Sequence, residues 1–369
     1  MKKNLLLFFI ISIISLPVNA QSKNEITILY LLPFHSQENL ARVSSLKSSS
    51  EIYQIKQFEM MGFWQGAKMA LQEYNYSDKK INVIVRDVVT DVTALKKILE
   101  DSALMKRVNI IIGPFYGSLF PEAAKYAKEH NITIVNPFST RFDFVDNHPN
   151  VYKLIPPFIS RPEMLEKVFL ASPDEYNVIF WSDSVPSPEM QAYKYYFNDK
   201  KIPFKEMRTL VIPQNSKKKN LIIAFFESST RVIHSVHTIL NLEMENSILI
   251  VPDKWFNISE LTEDFYGLPH LYYFTNYFVN EKESDVQQFQ SDYMLYYEAP
   301  AELAAYSYQG YDITRYFIDL YFAGFNTNDL KFNPLSYKFL WNQIPNGGFE
   351  NTKIRLIRIK NFELEEVNY

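Results

Sequence analysis

The stretch Val108-Asn109-Ile110-Ile111-Ile112-Gly113-Pro114-Phe115-Tyr116-Gly117-Ser118 reads as a strand, a tight turn and a helix entry in eleven residues. Val108 to Ile112 is apolar enough for a buried strand. Gly113 and Gly117 then bracket Pro114-Phe115-Tyr116, where glycine lets the backbone turn sharply and a ligand come close. The chain holds 9 glycines, against roughly 26 at average usage, so this pair is informative. Ser118 is expected to cap the next helix, whose free N–H groups favour a carboxylate or other anion. A second loop, Asn136-Pro137-Phe138-Ser139-Thr140-Arg141, follows the next strand, Ile132 to Val135. Either loop alone also reads as a plain helix-entry turn. Together they leave the carboxyl ends of neighbouring parallel strands, where open α/β sheets bind ligands.

The same alternation extends both ways. Upstream lie a strand at Ile26 to Leu32, a helix over Phe58 to Tyr74, a strand at Ile81 to Val85 and a helix over Val92 to Ser102. Gly62, Gly66 and Ala70 form a stripe expected to press the first helix closely on a sheet. The pattern restarts after Val151 to Pro157. Strands are expected at Val178 to Trp181, Met207 to Ile212, Leu221 to Phe226, Ile248 to Val251 and Leu271 to Phe274. Ser187-Pro188 opens a helix reaching about Asn198, and a further helix spans Val232 to Leu242. Helical patterns then cover Ser284 to Tyr297 and Pro300 to Ala323, and Ile354, Leu356 and Ile357 alternate in a terminal hairpin. The predicted class is α/β, with two doubly wound parallel-sheet lobes.

Residues 1–20 carry Lys2 and Lys3, an apolar run from Leu5 to Leu16, and Val18-Asn19-Ala20 before Gln21. That is the pattern of a cleavable export signal, cut after Ala20. The run falls short of the ~18 apolar residues that span a bilayer, and a periplasmic location follows. The net charge of −4 grows more negative once Lys2 and Lys3 leave, a poor match for nucleic acid. Hydrophobic residues at 47% fit a folded core, and cysteine is absent, which removes disulfides, thiolate chemistry and N-terminal lipidation.

The order of these segments resembles the type I periplasmic binding proteins, whose members carry branched-chain amino acids to transporters. The likeness rests on Ile28 to Pro33, on Gly62-Phe63-Trp64-Gln65-Gly66-Ala67, on Ile111-Ile112-Gly113-Pro114, on Val135 to Thr140 and on Tyr311-Asp312. It implies two lobes joined by three crossings, here residues 22–150 with 275–335 and residues 151–274 with 336–369, closing on a small molecule. It also implies a ligand carboxylate held at Ser118, Ser139 and Thr140. Phe115, Tyr116 and Phe138 stand where relatives often have small residues, so they either stack on a ligand or fill the pocket. The tyrosine that relatives carry after the first strand of the second lobe is missing from Asp183-Ser184-Val185-Pro186-Ser187. Asp183, beside Ser184, or Glu227 is a candidate partner for an ammonium group, though both also read as solvated loop acids. Trp255 either walls the cleft or is structural.

No G-x-S-x-G, H-E-x-x-H or phosphate-loop motif occurs, so an enzyme is not expected. His234 and His237 fall outside the apolar stripe of their helix and read as surface residues rather than metal ligands. Pairs such as Asp87 and Asp91 carry no testable separation. No cofactor is expected. The function expected is a receptor for an amino-acid-like or other small polar or aromatic ligand, serving an ABC-type transporter. The alternative is an envelope interaction protein of the same fold that regulates cell-wall synthesis.

Overall fold

The computed structural model describes residues 24–43, 58–183, 186–213, 217–242, 244, 246–268 and 270–368. The expected signal and its cleavage position lie outside them, as does Ser184. The chain first lays down β1 (Glu25–Leu32), α1 (Ser36–Val43), α2 (Glu59–Gln72), β2 (Lys80–Asp87), α3 (Val92–Glu100), α4 (Ser102–Met105), β3 (Ile110–Ile112), α5 (Phe120–His130), β4 (Thr133–Asn136) and β5 (Val151–Lys153). Next come α6 (Ser160–Phe169), β6 (Tyr176–Trp181), α7 (Pro188–Asp199), β7 (Lys205–Met207), β8 (Lys219–Ala224), α8 (Ser229–Leu240), β9 (Ser247–Pro252), α9 (Thr262–Gly267) and β10 (Leu271–Thr275). It closes with α10 (Ser284–Tyr297), α11 (Ser307–Phe322), β11 (Trp341–Gln343), β12 (Phe349–Asn351), β13 (Arg355–Lys360) and β14 (Glu363–Glu366).

Two seven-stranded sheets result, ordered β11-β12-β5-β4-β3-β1-β2 and β14-β13-β10-β9-β8-β6-β7. Their first five strands are parallel and repeat one order, so each lobe has a reversal point, at β1–β3 and at β6–β8. The residues of β1 explain the layering. Ile26, Ile28, Tyr30 and Leu32 enter the core under α2 and α11, while Leu29 and Leu31 enter the one under α3 and α5. Period-two burial on both faces demands helices on both faces.

Pairing moves the expected lobe boundaries. β5, β11 and β12, assigned to the second lobe by the divisions at 150/151 and 335/336, all join the first sheet: Val151 lies opposite Ile134, and Phe349 opposite Tyr152. Strands of three residues are too short to declare a sheet by alternation. The three crossings therefore run from β5 to α6, from β10 to α10 and from β12 to β13.

Two further expectations change. The strand predicted over Met207 to Ile212 ends at Met207, and Leu210 and Ile212 reach the core from a loop. The helix predicted from Pro300 starts at Ser307, because Tyr306 takes a left-handed φ of 63° after a short 3-10 turn at Ala301–Leu303. The small-residue stripe of α2 meets α11 rather than a sheet. A Cβ on Gly66 would sit 1.8 Å from the Ser307 carbonyl oxygen, and one on Gly310 1.9 Å from that of Phe63. These helices touch backbone to backbone.

Gly66→Ala and Gly310→Ala are each expected to cost about 1–3 kcal/mol or more by overpacking, read by urea denaturation. Gly117→Ala, whose Cβ meets nothing nearer than Phe144 at 3.6 Å, should stay within about 0.5 kcal/mol of the parent. Equal losses at all three positions would disprove the helix contact.

Candidate ligand cleft

A cleft of about 720 Å³ opens between the lobes beside the second crossing. Phe138 and Tyr306 line it from the first lobe, Phe256 and Tyr273 from the second, and Asn276 and Tyr277 from the crossing. Phe138 and Tyr306 lie 4.6 Å apart between ring centroids, Phe256 and Tyr273 4.4 Å. Burial pushes the hydroxyls of Tyr273, Tyr277 and Tyr308 well above the usual phenol range. They stay neutral and can both donate and accept.

One buried atom in each of two side-chain amides of this wall lacks a hydrogen-bond partner. Gln309 is 8% exposed, yet its Oε1 accepts no hydrogen bond, and Asn276 Nδ2 is buried and donates none. Leaving such a group unpaired costs about 1–3 kcal/mol. Asp253, Glu281 and Glu302 also line it. Lys254 is the one cation among the described lining residues, and it pairs with Glu227 at 3.1 Å.

Of the residues singled out in the sequence, Phe138 lines this cleft. Phe115 packs edge-on against Phe63 at 5.0 Å and Phe138 at 5.1 Å, as part of the first-lobe core. The Tyr116 hydroxyl meets His35 Nε2 at 3.1 Å. Ser118 is exposed and does not cap α5, which begins at Phe120 without a side-chain cap. The Leu119 and Phe120 N–H groups instead donate to the Tyr116 carbonyl. Ser139 Oγ accepts from the Arg141 N–H while its own N–H donates to Asn136 Oδ1, and Thr140 is exposed. Asp183 pairs with Arg231 at 2.8 Å. Trp255 is fully buried, with Nε1–H donating to the Phe226 carbonyl; it fills the second-lobe core and does not wall the cleft.

Sequence reasoning missed Asn276, Tyr306 and Gln309. Asn276 directly follows β10, so the strand-end rule that picked the other loops would have found it. Tyr306 and Gln309 were hidden by reading one unbroken helix from Pro300.

The pivot is hydrogen-bonded across the crossings. Lys153, fully buried, lies 2.8 Å from Glu350 and also donates to the Ile155 carbonyl. Arg355 donates to the carbonyls of Phe278 and Ser336 at 2.7 and 2.9 Å and to Glu366 at 2.6 Å. Asp312 of α11 accepts from the N–H groups of Leu335, Ser336 and Tyr337 and from the Ser336 hydroxyl. Tyr337 in turn bridges to Tyr277 of the second crossing.

No protein-family model and no curated protein matches the chain. Solved structures do match, and the fold they define is that of the type I periplasmic binding proteins. A putative branched-chain amino acid ABC transporter protein from Rhodospirillum rubrum superposes with a TM-score of 0.65 at 12% identity, covering 93% of this chain and 100% of its own. An ABC transporter substrate-binding protein from Desulfitobacterium hafniense gives 0.59 at 15% identity with the same coverage. LpoA of Haemophilus influenzae gives 0.58 at 11% identity, covering 95% of this chain and 60% of its own.

Burial pushes the Asp312 carboxyl up to about 6 from its ordinary 3.8, against the four hydrogen bonds that pull it down. The folded state thus holds the proton more tightly than the unfolded chain. That contribution is complete below pH 3.8 and is lost as pH rises through 6. Relative to Asp312→Asn, the wild type should gain up to about 3 kcal/mol between pH 7 and pH 4, read by paired urea titrations. A pH-independent difference would refute this assignment.

Proposed function

We propose that this chain is an exported periplasmic receptor that closes its lobes on a small organic ligand and delivers it to an ABC-type membrane transporter. The observation that supports the reading is the inter-lobe cleft of about 720 Å³, lined by the ring pairs Phe138–Tyr306 and Phe256–Tyr273 from opposite lobes. Bridging both lobes would let a ligand stabilise the closed form by its differential affinity. The leader at residues 1–20 supports export, with cleavage after Ala20 and Gln21 as the mature N-terminus. The solved D. hafniense protein described as a complex with Leu shares this architecture at 16% identity, so the ligand class has to come from this chain's own cleft.

A second reading, an envelope interaction protein that regulates cell-wall synthesis without carrying a ligand, is favoured by the loop rings Phe115 and Phe138, which pack on each other and on Phe63 and Tyr306.

The test is thermal-shift screening of residues 21–369 against amino acids, amides, amines and small carboxylates, with small-angle scattering on any hit. The receptor reading expects a stabilisation that grows with the logarithm of ligand concentration, about 2.7 kcal/mol at a hundredfold excess over Kd, with a smaller radius of gyration. No shift with any compound and no ligand by native mass spectrometry would overturn it, and crosslinking to a cell-wall-synthesis protein would then favour the second reading.

A further inference from the structure

We infer that the open edge of the first sheet is a self-association surface, at which β2 pairs antiparallel with β2 of a second copy of this chain. The inference is independent of what the cleft binds. The two sheets end in four terminal strands, β11, β2, β14 and β7. Three of them are blunted in the ways that keep sheet edges from pairing. β7 and β11 have three residues each, and the four residues of β14 hold Glu363, Glu365 and Glu366 in ion pairs. β2 is the exception, with eight residues that include Ile81-Asn82-Val83-Ile84-Val85.

Hydrogen-bond parity shows which groups this edge offers. The Lys80 N–H donates to the Asn24 carbonyl and the Val88 N–H to that of Leu32. Even-numbered residues of β2 therefore face β1, and Ile81, Val83 and Val85 direct their N–H and C=O groups outward. The Arg86 guanidinium, which reaches the Val85 carbonyl at 2.9 Å, agrees with that direction. A cavity of about 680 Å³ touches every residue from Lys80 to Ile84. Side chains alternate between the faces of a strand, so contact with consecutive residues places this cavity along the edge. Val83 is 36% exposed there.

The occupant is a second copy because the strand is complementary to its own reverse. A two-fold axis through Val83 sets Val83 opposite Val83, Ile81 opposite Val85 and Lys79 opposite Asp87. The apolar pairs join residues whose backbone groups all face outward, so each pair exchanges both of its hydrogen bonds. The ends match as well. Lys79 precedes β2, and Lys106 and Arg107 line the cavity at that end with no carboxylate partner among the described residues. Asp87 closes the strand, and Asp91 follows it as the cap of α3. Reversal brings the basic end of one strand to the acidic end of the other. One pair, Lys80 against Arg86, opposes this, and Glu25 at 2.8 Å already offsets Lys80.

The experiment is analytical ultracentrifugation of residues 21–369 over about 1 to 200 μM, where the mean mass should rise toward twice that of the chain. Val83→Pro removes an outward N–H that the pairing with β1 does not use. Val83→Lys sets like charges face to face across the axis. Each should weaken association about tenfold or more with the melting temperature close to the parent's, and the lysine variant keeps the test decisive if proline disturbs the strand. Register is read by oxidation, since the chain has no cysteine of its own. The two copies of residue 83 would lie about 5.5 Å apart between Cα atoms, within disulfide reach. Val83→Cys should therefore give a disulfide-linked dimer, and Tyr76→Cys, at a fully exposed position, should not. A chain that stays monomeric throughout, which leaves the edge to water or to a different partner, overturns the inference. So does a dimer indifferent to both Val83 substitutions, or crosslinking through position 76 that equals that through 83.

Discussion

The backbone contact between α2 and α11 is the constraint from which the rest of the molecule follows. Gly66 and Gly310 bring the two helices so close that no Cβ fits between them, and Gly62 lies equally close to the Ala304–Ala305 backbone just before α11. At the far end Tyr74 donates to Asp319 at 2.5 Å, and Arg315 pairs with Glu73, which fixes the rotation of α11 about its axis. With that rotation set, residues three apart on one helix face different tasks. Gln309 turns to the cleft and Asp312 to the pivot. A change at Gly310, which lies between them, would disturb both.

The pivot is built from buried charge, which is an expensive material. Taking Lys153 and Glu350 out of water costs several kcal/mol per ion, and an apolar pair of the same volume would often serve stability as well. What the charges add here is geometric. Arg355 holds carbonyls from the second crossing and from the segment before β11, while Asp312 holds three successive N–H groups of that same segment. Each crossing is thereby tied to another by directional bonds. Any relative motion of the lobes would have to be taken up by backbone rotation near these ties.

The strands and most helices are legible because β1, β3, β4, β6, β8 and β9 each carry an apolar run, and Ser187 caps α7 as its spacing predicts. Boundaries failed where the signal is not local. β5 and β12 are three residues each, and their sheet is decided by partners far along the chain. The Gly62–Gly66 stripe announced a close approach but not the element approached. The site was less legible than the fold for a related reason. Hydroxyls after strands identify loops, but what those loops' hydroxyls and N–H groups bond to depends on neighbours, as when Ser139 Oγ accepts from Arg141 N–H and the Ser139 N–H donates to Asn136 Oδ1, which no spacing rule evaluates.

The aromatic residues on the first-lobe loops connect these points. Phe115 and Phe138 were read as either stacking on a ligand or filling the pocket, and the arrangement divides the roles. Phe115 sits behind, edge-on to Phe63, and stiffens the loop from within the core. Phe138 sits in front, against Tyr306, and offers a face to the cleft. Rings in these loops take up space that smaller side chains would leave near β1 and β3, and the open volume lies instead toward the second crossing. The lining residues drawn from that crossing and from the start of α11 lie beside the pivot itself. On the receptor reading proposed above, a ligand held there would bear directly on the segments that join the lobes, and its occupancy would be coupled to closure.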